Sequence, residues 1–344
     1  MRATDVQTSS LYRSIVDLLR QSRQTTMQQV NRAIVHTYYE IGRKIVEEEQ
    51  RGNVRAQYGK RLIKELSAHL TREFGKGFSE RNLEQMRNFY LIYSKPQTLS
   101  AESEQPATRN GKCPKLDLSW SHYVFLVRLD DERERRFYEI ESAQNTWSLK
   151  ELKRQFNSGL YQRLALSRDN DAVKALSAHG QRIEQPTDAI KDPYVLEFLG
   201  LPEQNSYSES DLEQRLIDKL EHFLLELGKG FTFVARQKRI SIDEKHFYID
   251  LVFYNRLLKA FVLIDLKIGE LKHQDIGQMM MYVHHYDRHE KLDEENKTVG
   301  IILCRDKSEA LVELTLPEDN AQIFASRYMT VLPSKDELKK LLEE

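Results

Sequence analysis

The sequence predicts an α/β protein in two parts, a helical first part and a second part built on a mixed β-sheet. The chain of 344 residues is long enough for about two domains of roughly 150 residues each. Apolar residues mostly recur at helical spacing up to residue 165, whereas the last part combines helices with strand-like apolar runs. With 40% apolar and 31% charged residues, the composition is typical of a globular protein and excludes disorder.

Four helices are predicted before residue 95. Apolar residues at helical spacing mark the first two, over 11–19 and 34–45, and a third over Gly59–Phe74. The third helix ends at a glycine-bearing turn, and Ser79 offers an N-cap for the fourth. The apolar stripe of the fourth helix comprises Leu83, Met86, Tyr90 and Tyr93.

A long loop is predicted at 95–118, where prolines and small polar residues replace the helical pattern. Helical spacing resumes at Trp120, and a capping box at Ser148–Glu151 begins a further helix. The pattern is lost again before Asp192. We therefore predict three regions, which are a helical domain over 1–165, a linker over 166–192 and a second domain over 193–344.

The second domain follows the order helix, three strands, helix, strand. Antiparallel strands followed by a crossover to a further strand predict a mixed sheet flanked by helices. The predicted elements are a helix at about 211–227, strands over Phe231–Ser241, His246–Tyr254 and Lys259–Ile268, a helix at about 273–287, a strand over Thr298–Cys304, a helix near 306–315, a strand near Gln322–Val331 and a closing helix capped by Ser334.

Two charged residues interrupt an otherwise apolar strand. Asp265 and Lys267 lie two residues apart within Phe261–Ile268, so their side chains point to the same face. Charges inside a buried strand cost several kcal/mol unless they are paired, hydrated or bound to a metal. The preceding strand carries Asp250 in a similar apolar run. Two carboxylates that converge at a sheet edge make an oxygen-rich site suited to Mg²⁺ or Mn²⁺, ions that promote phosphodiester hydrolysis.

The pairing register decides whether the two acids meet. For Asp250 to face Asp265, the two strands must be joined by a turn or bulge near 256–259. A tight turn at 255–256 would place Asp250 opposite Phe261 instead. The alternative interpretation is a structural ion pair between Asp265 and its neighbouring lysine, or a strand whose polar face is hydrated.

Several motifs resemble a known family. Asp250 followed by Asp265-x-Lys267 resembles the PD-(D/E)XK nuclease signature, and the element order is similar to the αβββαβ core of that superfamily. More narrowly, four segments of the second domain resemble the YhcG-like family: Leu224–Phe231, Tyr248–Leu251, Leu266–Glu270 and Gly277–Met279. The segments that resemble its amino-terminal domain are Tyr39–Arg43, Gly75–Ser79, Ser119–Tyr123 and Asp192–Leu196. The resemblance spans nearly the whole chain.

The resemblance implies a restriction-endonuclease-like αβββαβ domain behind a helical nucleic-acid-binding domain. It implies Mg²⁺- or Mn²⁺-dependent endonuclease hydrolysis of DNA phosphodiester bonds. Asp250 and Asp265 would ligate the metal, and Lys267 would help to position or deprotonate the nucleophilic water. Gln278, on the following helix, would help to position the groups of the site. Because the family usually has Glu at the position of Asp265, the competing hypothesis is a DNA-binding or assembly protein whose nuclease fold no longer cuts. A third hypothesis is a nuclease directed at RNA, which only a comparison of substrates would distinguish.

In the PD-(D/E)XK superfamily, the first core helix often contributes a further acidic residue to the metal site. Glu213 lies beside the apolar face of the helix predicted over 211–227 and is the better geometric candidate. Glu226 lies on the opposite flank but within the more family-like segment. Both assignments stay open, and either side chain would also fit a solvated surface position.

The helices on either side of the glycine turn have the outline of a helix-turn-helix. With the apolar stripe facing inward, the outward residues are Arg81, Asn82, Gln85 and Asn88, which are types that read base edges or phosphates. The alternative is an ordinary pair of packed amphipathic helices.

The charge is distributed unevenly along the chain. Residues 1–94 carry 16 Lys and Arg against 10 Asp and Glu, a net charge of +6, whereas residues 201–344 carry 20 against 27, a net of −7. This asymmetry favours the first part as the DNA-binding part.

The remaining features exclude several other classes of protein. Two distant cysteines, Cys113 and Cys304, argue against a disulfide framework or a Cys-based zinc site. The start of the chain is polar and the apolar runs are short, so we expect a cytoplasmic protein without a membrane segment. His285 and His289 have the spacing of metal ligands, but a surface helix is favoured because the H-E-x-x-H order is missing. A homodimer is expected only by analogy with related nucleases.

Overall fold

The protein is described here by a computed structural model that covers residues 3–51, 56–94, 116–166, 170–201, 207–333 and 338. The chain forms two compact units, Met1–Leu152 and Lys153–Glu344. Most of the loop predicted at 95–118, and the cap predicted at Ser334, lie outside the described residues. None of the helices in the described ranges combines the length and the apolar composition that a membrane-spanning segment requires.

The first unit is helical, as predicted. The two helices predicted over 11–19 and 34–45 form one continuous helix, because no Gly or Pro lies between them to interrupt it. The core joins buried residues of the first three helices: Ile45, Ile63, Leu83 and Met86. The helices are α1 (Ala3–Arg51), α2 (Ala56–Phe74), α3 (Glu80–Tyr93), α4 (Trp120–Leu126), α5 (Glu132–Gln144) and the start of α6 (Leu149–Asn157).

The beginning of α3 follows the sequence prediction. Ser79 is its N-cap, and the Ser79 hydroxyl accepts a hydrogen bond from the Asn82 amide at 3.3 Å. Tyr90 and Tyr93 of the predicted stripe are only half-buried. The buried residues of the helix are Leu83, Met86 and Phe89. The inward face is therefore rotated slightly from the predicted one.

The second unit contains the predicted mixed sheet. The described strands pair in the order β1-β6-β5-β4-β3-β2, antiparallel from β2 to β4 and parallel from β4 through β5 and β6 to β1. The strands are β1 (Tyr194–Val195), β2 (Phe231–Ile242), β3 (Lys245–Asn255), β4 (Ala260–Leu266), β5 (Val299–Cys304) and β6 (Ile323–Met329). The helices are α7 (Leu160–Leu166), α8 (Asn170–His179), α9 (Pro186–Ala189), α10 (Glu209–Asp218), α11 (Leu220–Leu227), α12 (His273–His289) and α13 (Glu309–Thr315), with a 3₁₀ turn at Glu197–Leu199.

Three local features differ from the sequence prediction. The helix predicted over 211–227 breaks at Lys219 into α10 and α11, and both halves still bury apolar residues on the sheet. The segment predicted as a linker, 166–192, contains α8 and α9. Strand β1 was not predicted, because two residues are too few to show the alternation that reveals a strand.

Apolar side chains cover both faces of the central strand β4. On one face, Ile264 shares an apolar cluster with Leu216 of α10 and Phe223 of α11. On the other face, Leu263 shares a cluster with Met279 of α12. The charged residues at the carboxyl end of β4 therefore stand beside a largely dry core.

The turn between β3 and β4 has the predicted position. Pairing ends at Asn255 and Ala260, so residues 256–259 form the turn. Asn255 is fully buried, and its Oδ1 accepts hydrogen bonds from the backbone N–H groups of Leu257 and Leu258 at 3.0 and 3.2 Å. Its Nδ2 donates to a backbone carbonyl just before β2 at 3.1 Å. This one side chain therefore fixes the turn that sets the hairpin register.

Replacing Asn255 should destabilise the second unit. We expect Asn255→Ala to lower the free energy of unfolding by about 1–3 kcal/mol, because it leaves buried backbone groups without partners. Urea denaturation of the full chain measures the change. Arg256→Ala, in the exposed part of the same turn, is the matched control. Equal stability of the two variants would show that Asn255 does not hold the turn.

A buried ion cluster joins α7, β1 and α11. The carboxylate of Glu226 is fully buried, pairs with the buried guanidinium of Arg163 and accepts a hydrogen bond from the Val195 amide at 3.0 Å. Lys191 donates to the backbone carbonyl of Glu226. Burial acts to raise the pKa of Glu226, but the positive charges of Arg163 and Lys191 lower it below its usual value. Glu226 is therefore held as a structural anion.

Removing the charge of Glu226 should strongly destabilise the fold. Glu226→Gln preserves the shape of the side chain but leaves the buried guanidinium of Arg163 without its counter-charge, so we expect a loss of about 3–5 kcal/mol. Glu221→Gln changes an exposed acid on the same helix and should stay within about 0.5 kcal/mol of the wild type. Urea midpoints that coincide for both variants would contradict the structural role.

Candidate active site

Three of the predicted site residues meet where β3 and β4 lie side by side. The pairing of Leu251 with Ile264, extended by one residue, places Asp250 opposite Asp265. Asp250 Oδ2 accepts a hydrogen bond from the backbone amide of Leu266 at 2.8 Å, which ties it to the neighbouring strand. Lys267 Nζ lies 2.7 Å from Asp265 Oδ2. The structure therefore brings the two carboxylates and the ammonium into one cluster.

Asp265 is the most buried member of this cluster, with 3% of its surface exposed. Burial raises the pKa of its carboxyl group; the ammonium of Lys267 opposes this effect and the charge of Asp250 adds to it. The net shift is upward. An ionised Asp265 beside Asp250 is therefore unfavourable without more positive charge, and a bound cation would supply that charge.

Glu213 on α10 reaches the cluster through Gln237 on β2. Gln237 Nε2 donates hydrogen bonds to Glu213 Oε2 at 2.6 Å and to Asp250 Oδ1 at 3.0 Å. Burial raises the pKa of Glu213, and the charge of Asp250 adds to the rise. The hydrogen bond from Gln237 and the charge of Arg236 lower this pKa, but the net shift is upward. Glu213 Oε1 accepts no hydrogen bond from a described residue, although Arg236 Nε lies 3.3 Å away as an ion-pair partner.

The structure separates the two candidate acids of the first core helix. Glu226 is enclosed in the ion cluster with Arg163, whereas Glu213 lies one amide group away from Asp250. The geometry therefore favours Glu213 as the additional acid. Gln237 was not among the residues predicted from the sequence. Gln237 is a polar residue of β2 that lies opposite Asp250. Sequence alone does not show this position, because it depends on the register between β2 and β3.

Gln278 lies at the edge of the cluster on α12. Its Nε2 donates to Tyr282 Oη at 2.6 Å, and that hydroxyl donates to the backbone carbonyl of Tyr248 at 2.9 Å. Burial raises the pKa of Tyr282 to about 12, and the charges of Asp265 and Asp250 add to this rise. In the described part of the chain, Gln278 thus makes no direct hydrogen bond to Asp250 or Asp265, and its partner Tyr282 bonds to the backbone of β3, the strand that carries Asp250.

The four outward residues predicted on α3 differ in their surroundings. Arg81 and Asn88 are exposed, and Gln85 is half-buried. Asn82 serves the interior of the helical unit, because its amide nitrogen donates to the carbonyl of Gly77 at 2.5 Å and its Oδ1 accepts from Trp120 Nε1 at 2.9 Å. Asn82 therefore fastens the glycine turn to α4, and its side chain is less available for a ligand than the other three.

The donor atoms fit a hard divalent cation. Among the described residues, no group of three or more His, Cys, Asp or Glu side chains is arranged to hold a metal ion. Mg²⁺ in phosphoryl-transfer sites commonly uses one or two carboxylates and completes its shell with water and substrate phosphate. Asp250 and Asp265 supply that number, and Glu213, whose Oε1 is paired with Arg236, is a further acid joined to Asp250 through Gln237. The histidines of α12 supply no further ligand to this cluster.

Both parts of the chain match models of known protein families. A family model described as the YhcG PDDEXK nuclease domain matches residues 187–343, and one described as the DUF1016 N-terminal domain matches residues 14–163. A relative from Escherichia coli (strain K12), named "Putative nuclease YhcG", is 38% identical over 351 aligned positions that cover 97% of this chain and 92% of the relative.

Two solved structures are similar to a smaller part of the chain. A repair endonuclease from Pyrococcus abyssi aligns at 18% identity over 38% of this chain and 50% of its own, with a TM-score of 0.25. EndoMS in apo form aligns at 15% identity over 38% and 49%, with a TM-score of 0.24. These scores are too low to support an argument, and the assignment rests on the sequence matches. The chain belongs to the YhcG family, with a DUF1016 N-terminal domain followed by a PDDEXK nuclease domain.

Proposed function

We propose that this protein is a DNA endonuclease that depends on Mg²⁺ or Mn²⁺ and cuts at the site formed by Asp250, Asp265 and Lys267. The observation that carries the proposal is the placement of two carboxylates and an ammonium group together at the end of an otherwise apolar strand. Membership of a nuclease family supports the reaction class. The oxygen-only donor set supports the choice of metal.

Each residue of the site has a distinct role in this proposal. Asp250 and Asp265 hold the cation, and Glu213 is the further acid on the side of α10. A bound divalent cation supplies Lewis acidity, which polarises the phosphodiester and lowers the pKa of a water molecule. Lys267 donates hydrogen bonds to the nucleophilic water and stabilises negative charge that develops on the phosphate. Gln278 supports the site through its hydrogen bond to Tyr282.

The ion pair with Asp265 prepares Lys267 for this role. The Lys267 ammonium lies 2.7 Å from Asp265 Oδ2, 3.3 Å from the carbonyl oxygen of Leu266 and 3.8 Å from Glu209 Oε2. These contacts hold a long, flexible side chain in one place before substrate arrives. A preorganised donor stabilises charge more effectively than one that must reorient during the reaction.

The helical first domain is the proposed DNA-binding part. Residues 201–344 carry a net charge of −7 and repel a polyanion, whereas residues 1–94 carry +6. Arg81, Gln85 and Asn88 on α3 are the side chains proposed to contact DNA. Asn82 belongs to the same predicted set, and its bonds to Gly77 and Trp120 suit it to shape the turn before the helix.

The competing function is a DNA-binding or assembly protein whose nuclease fold no longer cuts. The pairing of the short Asp265 side chain with Lys267 favours it, because an acid already paired with a lysine has less charge to offer a cation. Calorimetry with Mn²⁺ separates the two functions. DNA binding without any divalent-cation binding would support the inactive protein.

Cleavage assays test the proposed site. We expect the full chain to cut plasmid and linear DNA when Mg²⁺ or Mn²⁺ is present, and Asp250→Ala and Lys267→Ala each to cut about 100-fold more slowly or worse. Exposed residues of the same unit provide the controls Asp293→Ala and Lys245→Ala, which should cut at the wild-type rate. Equal cleavage by Asp250→Ala, Lys267→Ala and the wild type would refute the site. A parallel assay on RNA would reveal an RNA-directed enzyme.

Salt-dependent binding tests the role of α3. Arg81→Ala should weaken binding of a labelled DNA duplex and reduce the slope of log affinity against log salt by about 1, because one phosphate contact is lost. Fluorescence anisotropy in the absence of divalent ions measures both quantities. Arg61→Ala, on the exposed surface of α2, is the control for loss of one positive charge. The role of α3 would be wrong if both variants had the same slope.

A further inference from the structure

Strand β2 approaches the site in an unusual way. Near the start of the strand, Phe233 pairs with Phe253, but after an irregularity at Val234 the register shifts by one residue, so that Arg236 pairs with Leu251. Continued without this shift, the first register would have placed Arg236 opposite Asp250. The shifted register places Gln237 there instead. A β-bulge thus exchanges a guanidinium for a neutral amide at the position that faces the metal-site acid.

Gln237 also has a backbone conformation that non-glycine residues rarely adopt. Its φ is +44°, in the left-handed region, within an otherwise extended strand. In this conformation its amide nitrogen reaches Glu213 Oε2 and Asp250 Oδ1 at the same time. Backbone strain of this kind persists where the surrounding structure demands it and is concentrated at functional sites.

We propose that Gln237 is a positioning residue that holds Glu213 and Asp250 together for the divalent cation, an inference that rests on the proposed nuclease function. One primary amide carries two hydrogens, so a single nitrogen serves both carboxylates. Because the amide is neutral, it fixes the positions of the two acids without cancelling their charge. Among the described residues, Asp250 accepts hydrogen bonds from two neutral donors, the Gln237 side chain and the Leu266 backbone amide.

A guanidinium at position 237 would act differently. It would also satisfy the carboxylates, but its positive charge would repel a divalent cation from the same place. The bulge therefore matters because it keeps Arg236 off the position opposite Asp250. Arg236 instead pairs with Glu213 Oε1 from a half-exposed position and with Gln214 at 3.0 Å.

Two substitutions separate positioning from simple structural support. Gln237→Gly relieves the left-handed strain and removes the amide, whereas Gln237→Arg restores hydrogen-bond donors but adds a positive charge. We expect both variants to bind Mn²⁺ about 10- to 100-fold more weakly than the wild type, as measured by calorimetry on the full chain without DNA. In cleavage assays, both should need a higher Mn²⁺ concentration for half-maximal rate, and Gln237→Gly should recover most of its rate at saturating Mn²⁺.

Glu244→Gly is the matched control, because Glu244 is an exposed residue of the β2–β3 turn with a φ of +64° and no place in the site. It relieves the same kind of strain and should leave Mn²⁺ affinity unchanged. Thermal melts confirm that each variant folds; if Gln237→Gly does not, Gln237→Met, which is neutral and of similar length but lacks the two amide hydrogens, decides in its place.

The outcomes distinguish this inference from the proposed function. Wild-type Mn²⁺ affinity in the folded Gln237 variants, with normal binding and cleavage by the wild type, would overturn the role of Gln237 and leave the nuclease proposal standing. A wild-type protein that binds no Mn²⁺ and cuts no DNA would overturn both.

Discussion

The candidate site of the second domain depends on one structural constraint: Asp250 and Asp265 must face each other beside an apolar core. Asp250 and Asp265 can meet only because β3 and β4 pair in one register, and a shift of one residue would turn one acid to the other face of the sheet. The buried amide of Asn255 fixes that register from the turn. Asn255, at the turn of the hairpin, therefore fixes the relative positions of Asp250 and Asp265 near its other end.

The cluster is electrostatically unfavourable without a ligand. Burial and the charge of Asp250 raise the pKa values of Asp265 and Glu213, and Lys267 offsets only part of this effect for Asp265. Elsewhere in the second compact unit, the charge of Glu226 is paired with that of Arg163, and the pKa of Glu226 is lowered. This contrast separates an acid whose charge is balanced within the fold from acids whose charge is not, and it is the physical basis for proposing Glu213 rather than Glu226 as the further acid of the site.

The sequence predicts much of this arrangement. Apolar runs locate five of the six strands in the described ranges, and the isolated charges within them single out Asp250, Asp265 and Lys267 as candidate site residues. The turn at 256–259 follows from requiring the two acids to face each other, and the structure confirms it. Gln237 was not predicted, because its place opposite Asp250 depends on a bulge in β2. The apolar positions of β2 change from odd numbers (Phe231, Phe233) to even numbers (Ile240, Ile242), but this change does not fix where the extra residue lies. Asn82 likewise has the right residue type for DNA, but tertiary contacts with Trp120 engage its side chain.

The central claim is that Asp250 and Asp265 share one divalent cation. Anomalous diffraction from a crystal soaked in Mn²⁺ tests it most directly, since the ion's own signal reports its position without any assay of activity. We expect a single strong anomalous peak within coordination distance of both carboxylates, on the side that Glu213 faces. A fully occupied Mn²⁺ peak elsewhere in the domain, with the two acids unliganded, would contradict the claim.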